Sequence, residues 1–295
     1  MNAKFNLPDF IKGRPVYAIL NDWMKNTPDI LLPNTEIACV YGNFNSCIWN
    51  GGGTNFDKPQ TKAEIMEYID FYNNKLHIPL RFTFTNPLIT ERHLDDAYGN
   101  LIAECGHNGK NEILTSSIVL ENYLRKKYPN YKYGHSIIAS REEPIDLSDK
   151  YFLSVMRRRM NNNWNYLETI PEELRYKVEF LCTDPCPDNC PRLYTHYRDF
   201  ARAQLEFNPN EACNCTMSDA KGEFQYKYLR GLETYISREM IDKEYLPRGF
   251  NQFKISGRGS ALGAIMGTVN YMINPEYKDD AIAAFVSASA SLYCL

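Results

Sequence analysis

Short apolar runs alternate with helical periodicities along most of the chain. Ile37–Tyr41 (IACVY) reads as a strand ended by Gly42, followed by a loop holding Gly51, Gly52 and Gly53. Thr61 and Glu64 form a capping box, each side chain accepting a backbone N–H that the first helical turn leaves unpaired. The helix they open places Ile65, Tyr68, Ile69 and Tyr72 on one face. Ile78–Thr85 is a strand closed by Asn86-Pro87, and Glu112–Ser116 is another, followed by an amphipathic helix over Ile118–Lys127. Tyr133–Ala139, Lys177–Cys182 and Phe253–Ile255 supply further strands, and a Gly/Ala-rich helix covers Ala261–Met272. Residues 1–34, with Pro8, Pro15, Pro28 and Pro33, read as an irregular N-terminal extension, and 151–170 is ambiguous.

Strands separated by helices predict a parallel sheet. Their number favours an α/β, TIM-like (β/α) barrel over residues 35–295, incomplete or distorted, with an open doubly wound sheet as the alternative. In RFTFTN, Phe82 and Phe84 share one face while Arg81, Thr83 and Thr85 share the other; in FKIS, Lys254 lies opposite Phe253 and Ile255. Alternation puts the phenylalanines under helices and the polar residues inside the barrel. A central parallel strand is ordinarily apolar on both faces, so charged inward faces point to a site at the barrel mouth. The plainer alternative is that Arg81 and Lys254 pair with carboxylates.

Composition narrows the class. The 295 residues are 44% hydrophobic and 13% aromatic, enough for a globular core. With 33 basic and 36 acidic residues the net charge is −3, which gives no global attraction to nucleic acid or anionic membrane. Arg157, Arg158 and Arg159 read as a solvated face. The N-terminal MNAKFNLPDFIKGRP lacks a signal-peptide apolar region. The apolar run from Ala281 to Leu295 falls short of the roughly 20 residues of a membrane span. A cytoplasmic location follows as an expectation, and there the nine cysteines are read as thiols or metal ligands before disulfides.

Three cysteines stand out. VEFLCTDPCPDNCPRLYTHY places Cys182 at a strand end, with Cys186 and Cys190 each following after three residues. Pro185, Pro187 and Pro191 bar a helix and stiffen the loop. A stiff loop lowers the entropic cost of gathering thiolates, and a soft cation offsets their repulsion. Cys213 or Cys215, in EACNC, is the candidate fourth ligand. Spacing alone does not separate zinc from iron–sulfur, although Cys190-Pro191 has the Cys-Pro ending common in iron–sulfur runs. The Cys-x3-Cys-x2-Cys run of S-adenosylmethionine radical enzymes differs in its second gap. Cys39, Cys105 and Cys294 read as packing residues, and Cys47 as a weak outside candidate. His196, six residues after Cys190, is a candidate acid, base or second-shell donor. NGGG at 50–53 has no P-loop lysine, and no G-x-S-x-G or H-E-x-x-H motif is present.

Four segments, in order, resemble peptidase family U32, the collagenase-like peptidases, and especially its iron–sulfur bacterial members: ACVYGNF, IPLRFTFTN, VEFLCTDPCPDNCPRLYTHY and FNQFKISGRG. The resemblance spans roughly residues 36–280. It implies a barrel and a [4Fe–4S] cluster on Cys182, Cys186, Cys190 and either Cys213 or Cys215, with zinc the alternative metal. It implies roles in substrate binding for Lys254, Arg258, Arg81 and Tyr41, and in catalysis for Arg192 and His196. Members of this kind look like oxygen-independent hydroxylases or hydroxylation partners, acting on RNA bases or quinone precursors with prephenate as oxygen donor. Others are described as collagen-degrading proteases. The expectations are therefore an iron–sulfur redox enzyme taking an anionic small molecule, a peptidase, or a non-catalytic iron–sulfur or zinc subunit working with a related chain. The sequence departs from the family in its tighter cysteine spacing, in Gly51–Gly53 where many members carry Gly-Arg-Pro, and in the stretch 1–34.

Overall fold

The computed structural model describes residues 1–139, 145–186, 190–209 and 222–290. In chain order the elements are β1 (Ala3–Pro8), α1 (Arg14–Asn26), β2 (Thr35–Gly42), α2 (Lys62–Asp70), β3 (Leu80–Phe84), α3 (Ala97–Cys105), β4 (Glu112–Thr115), α4 (Ile118–Lys127), β5 (Lys132–His135), β6 (Ser154–Val155), α5 (Trp164–Leu167), β7 (Val178–Leu181), α6 (Leu193–Glu206), α7 (Gly222–Leu229), α8 (Arg238–Met240), β8 (Gln252–Lys254), α9 (Ala261–Met272) and α10 (Lys278–Ala290). The strands follow one another in sequence order around a closed barrel, with β8 returning to β1. The β3–β4, β4–β5, β7–β8 and β8–β1 pairs run parallel. This is the expected TIM-like α/β barrel, and the open-sheet alternative falls away.

Residues 1–34 are not an extension. Ala3–Pro8 is the first barrel strand, and Lys4, Phe5 and Asn6 register with Gln252, Phe253 and Lys254. The prolines mark boundaries here: Pro8 ends β1, and Pro15 sits in the first turn of α1, where a missing N–H leaves no bond unmade. The ambiguous stretch 151–170 holds the two-residue β6 and the four-residue α5, both too short to leave a periodic trace. Among the described residues no helix is long and apolar enough to cross a membrane.

The chain divides into two compact units, the first gathering the described residues of Met1–Val40, Arg158–Asp188 and Thr216–Leu295, the second those of Tyr41–Arg157 and Asn189–Cys215. In the first, Phe5, Phe253 and Phe180 stand in one register row. Phe5 meets Tyr271 of α9 at 5.9 Å between ring centroids. Gly267 of α9 lies so close to β8 that a Cβ there would meet the Ile255 side chain at 2.5 Å. That row therefore faces the helices, and by alternation Asn6, Lys254 and Leu181 face the barrel interior. Buried Arg238 donates to Thr35 Oγ1 (2.7 Å), the Tyr271 carbonyl (2.8 Å) and the Pro33 carbonyl (2.6 Å), tying the entrance of β2 to α9.

In the second unit, the Thr61–Glu64 capping box forms as the sequence predicts, with Ile65 and Ile69 buried beneath α2. Phe82 and Phe84 are fully buried; Phe82 presses on the α3 C-cap, Gly106, and Phe84 meets Trp49 edge-on at 5.3 Å. The phenylalanines face outward, as expected, so Arg81 and Thr83 point inward. Gly51 has a packing reason: a Cβ there would lie 2.1 Å from the Thr85 carbonyl oxygen, so only glycine lets this loop cross the end of β3.

A parallel barrel missing its first strand leaves two unpaired edges. Deleting residues 1–13 is expected to abolish the single cooperative melting transition in a thermal scan followed by circular dichroism. A truncated chain melting like the full one would show that β1 does not close the barrel.

Candidate functional site

Four of the sequence-predicted site residues, Cys182, Cys186, Lys254 and Arg258, lie at or just beyond the carboxyl ends of β7 and β8, within the first unit. The backbone N–H of Cys182 continues the β7–β8 ladder by donating to the Lys254 carbonyl at 2.9 Å. One residue on, the Ser256 N–H donates to Thr183 Oγ1 at 2.7 Å. The cysteine-bearing loop and the lysine–arginine loop are thereby fastened side by side at the end of a barrel where chemistry is ordinarily done. Lys254 is the last residue of β8, its ammonium 4.0 Å from a carboxylate oxygen of fully buried Glu179.

Arg258 is half-buried, between two glycines with positive φ, Gly257 (147°) and Gly259 (84°). Asp9, just past β1, fixes this turn. Its Oδ2 accepts the Gly259 N–H at 2.8 Å, and its Oδ1 accepts the Ile11 and Lys12 N–H groups at 3.1 and 2.9 Å. Lys12 Nζ then donates to the Gly259 carbonyl at 3.1 Å. Ser260 caps α9 directly afterwards, its side chain accepting from Gly263. A basic side chain is thus presented from a turn held on both sides.

Around the cysteines the anchoring is equally specific. Asp184 Oδ1 accepts the Cys186 N–H at 3.0 Å, and Arg158 Nη1 lies 3.3 Å from Asp184 Oδ2, both side chains nearly buried. Asn161 donates to the carbonyls of Leu181 (2.9 Å) and Thr234 (2.8 Å). Asn162, at φ 63°, donates to those of Glu233 and Tyr235 and accepts from the Tyr245 hydroxyl at 2.8 Å. Together they hold the 233–236 segment against the end of β7, where the Ile236 N–H donates to the Cys182 carbonyl at 3.2 Å.

Sequence reasoning missed Asp9, Asp184, Asn161 and Asn162. It also took Arg157–Arg159 for a solvated face, yet Arg157 and Arg158 are buried and only Arg159 is exposed. The available signal was a triple arginine beside a triple asparagine, NNN at 161–163, in the connection that leads to the cysteine strand. Side-chain amides in such a run are suited to stitching irregular backbone.

The cysteines separate into two environments. Cys182 is fully buried, its Sγ 3.8 Å from the Phe180 carbonyl. Burial pushes its thiol well above the usual range, and the Glu179 carboxylate adds to the effect. Cys186 and Cys190 are partly exposed. Cys213 and Cys215 lie outside the described residues. Among the described residues no three His, Cys, Asp or Glu side chains gather as a metal site. By these environments Cys186, partly open in the first unit, is accessible to a cation and Cys182 is not; Cys190 belongs to the second unit. Cys39 donates to Asn6 Oδ1 at 3.1 Å inside the protein, and burial pushes the Cys47 thiol up to about 12, so both are packing residues. Cys294 lies outside the described residues.

In the second unit, Arg192 is the exposed N-cap of α6, and His196 sits one turn on with its ring 4.5 Å from that of Phe200. Tyr41 is buried in β2. Arg81 is at the start of β3, away from the strand's carboxyl end; it is 1% exposed, and its Nε donates to Glu112 Oε2 at 2.7 Å. Its guanidinium also lies 5.4 Å from the Phe152 ring centre. The carboxylate-pairing alternative holds for this residue.

The fold and this pair of loops define a (β/α) barrel with an anchored cationic turn and a cysteine loop on neighbouring strand ends. Compared with protein-family models, curated proteins and solved structures, the chain matches none of them. Its likeness to the collagenase-like peptidases therefore rests on the segments quoted above.

Removing one member of a buried ion pair strands the other. Arg81→Met is expected to lower unfolding free energy in urea by about 3–5 kcal/mol. Adding Glu112→Leu should recover much of that loss, whereas a single variant as stable as the parent would deny the pair any structural role.

Proposed function

We propose that the chain is a redox enzyme in which a thiolate-ligated metal centre works beside an anion-holding loop at the ends of β7 and β8. The observation that supports this is the direct hydrogen-bond tie between the two loops, from the Cys182 N–H to the Lys254 carbonyl and from the Ser256 N–H to Thr183 Oγ1. The ligand set that the resemblance implies is Cys182, Cys186 and Cys190 with Cys213 or Cys215, from which the burial of Cys182 removes the first; the candidate centre is a [4Fe–4S] cluster, or zinc as the alternative. A bound cluster would supply single electrons at the barrel mouth, whereas zinc would supply Lewis acidity.

The chain's own residues account for the other half. Lys254 projects into the barrel from the last position of β8, and Arg258 extends from a turn fixed by Asp9. An ammonium and a guanidinium so placed suit a carboxylate, the guanidinium by a two-pronged hydrogen bond. The substrate class is a small carboxylate anion, and prephenate as oxygen donor for an oxygen-independent hydroxylation enters on the strength of the resemblance. Arg192 and His196 as catalytic groups, Tyr41 as a substrate contact, RNA as a substrate and a related partner chain rest on that resemblance alone. The same is true of the peptidase and non-catalytic subunit readings.

Anaerobic purification followed by iron, sulfide and zinc analysis and a visible spectrum tests the centre. The expected result is iron with matching sulfide and a brown chromophore that chelation or air removes together with activity. Zinc without sulfide would favour the alternative metal, and a metal-free, colourless, active protein would refute the proposal. Arg258→Ala is expected to weaken prephenate binding in calorimetry by about tenfold, the loss of roughly one charge-assisted hydrogen bond. Unchanged affinity would remove Arg258 from the site.

A further inference from the structure

We infer that Cys182 is a packing thiol of the barrel wall and that ligation in this loop begins at Cys186. The ligation half rests on the metal-centre proposal above; the packing half does not.

Three observations carry the first half. Both backbone groups of Cys182 are engaged, its N–H with Lys254 and its carbonyl with Ile236, so it belongs to the sheet and not to the free loop. Strand alternation puts its side chain on the face of Phe180, two positions earlier. That face packs against Tyr245 (4.9 Å between ring centroids), Phe250 (5.4 Å) and Phe253 (6.3 Å). Finally, Cys182 has no solvent exposure, and its Sγ turns back toward the Phe180 carbonyl. Recruiting it as a ligand would require turning its side chain out of the aromatic packing on that face.

Beyond Cys182 the backbone leaves the sheet. Thr183 and Asp184 make the turn, each side chain accepting a backbone N–H, from Ser256 and from Cys186 respectively. Buried Arg158 holds Asp184 in place. Cys186 is partly exposed, and the carboxylate that fixes its backbone is balanced by an arginine. Arg158 and Asp184 are therefore positioning residues for the first cysteine that can meet a metal.

The test compares Cys182→Ala and Cys186→Ala in the full chain, purified anaerobically, by metal content per chain and circular dichroism. The expected result is parental metal content in Cys182→Ala, with a lowered melting temperature, and loss of metal in Cys186→Ala. A folded Cys182→Ala whose metal falls to the Cys186→Ala level overturns the inference, and metal kept in both variants overturns the role of Cys186. A second measurement stands independently of variant folding and of metal. In chelator-treated native protein, iodoacetamide labelling read by mass spectrometry should be roughly tenfold or more slower at Cys182 than at Cys186, because a buried thiol reacts only through opening. Equal rates overturn the packing assignment. A metal-free parent protein would sink the metal-centre proposal, and the labelling comparison would then decide Cys182 alone.

Discussion

The hydrogen bond from the Cys182 N–H to the Lys254 carbonyl is the constraint on which the candidate site depends. It is the last rung of the β7–β8 ladder, and it sets where each strand stops and each loop starts. On one side the chain turns through Thr183 and Asp184 into the cysteine loop; on the other it turns through Ser256 into Gly257–Gly259. Because Thr183 accepts the Ser256 N–H directly above that rung, neither loop can shift without the other. Asp9 adds the neighbouring strand to the same assembly, since β1 pairs with β8 and its following residue holds Gly259. Three consecutive barrel strands thus present their ends as one fastened surface.

The main elements were legible where apolar periodicity was long. The helices over Ile118–Lys127 and Ala261–Met272 fall on the boundaries that the sequence predicts, because each runs from a polar cap through several turns of one buried face. The inward and outward faces of β3 and β8 were legible too, since Phe82, Phe84, Phe253 and Ile255 pack under helices. What escaped were elements whose order comes from their partners. β1 hides among prolines and is recognisable only by its register with β8; β6 is two residues long and exists because β5 lies beside it. Asp9 and Asp184 escaped for a related reason: each acts on backbone far along the chain or at a turn, and no spacing rule announces that.

Position along a strand separates two inward cations that looked alike in sequence. Arg81 and Lys254 both sit opposite phenylalanines on their strands. Arg81 comes early in β3, in register with Glu112, and two oppositely charged groups in one row of a narrow interior satisfy each other. Lys254 comes last in β8, where the interior opens toward the loops, and its contact with Glu179 is looser at 4.0 Å. The early pair serves the barrel's interior packing; the late lysine stands at the end of its strand, with a longer contact to its carboxylate.

A similar distinction, one pleat against one turn, divides the cysteines. Three thiols at even spacing suggest a single ligand set only while the chain between them is taken as uniform loop. Cys182 still obeys the sheet, so its side chain goes where alternation sends it, among the aromatic rings of Phe180, Tyr245 and Tyr271. Burial there pushes both tyrosine hydroxyls well above their ordinary range. Cys186 obeys the turn that Asp184 sets, and that turn is steadied by a buried positive charge which disfavours neither thiolate nor metal-bound sulfur. The change of environment takes place across Thr183-Asp184-Pro185, where the chain leaves the strand. Sulfur spacing reports which residues are near in sequence; the end of the hydrogen-bond ladder reports which of them leave the sheet for the loop.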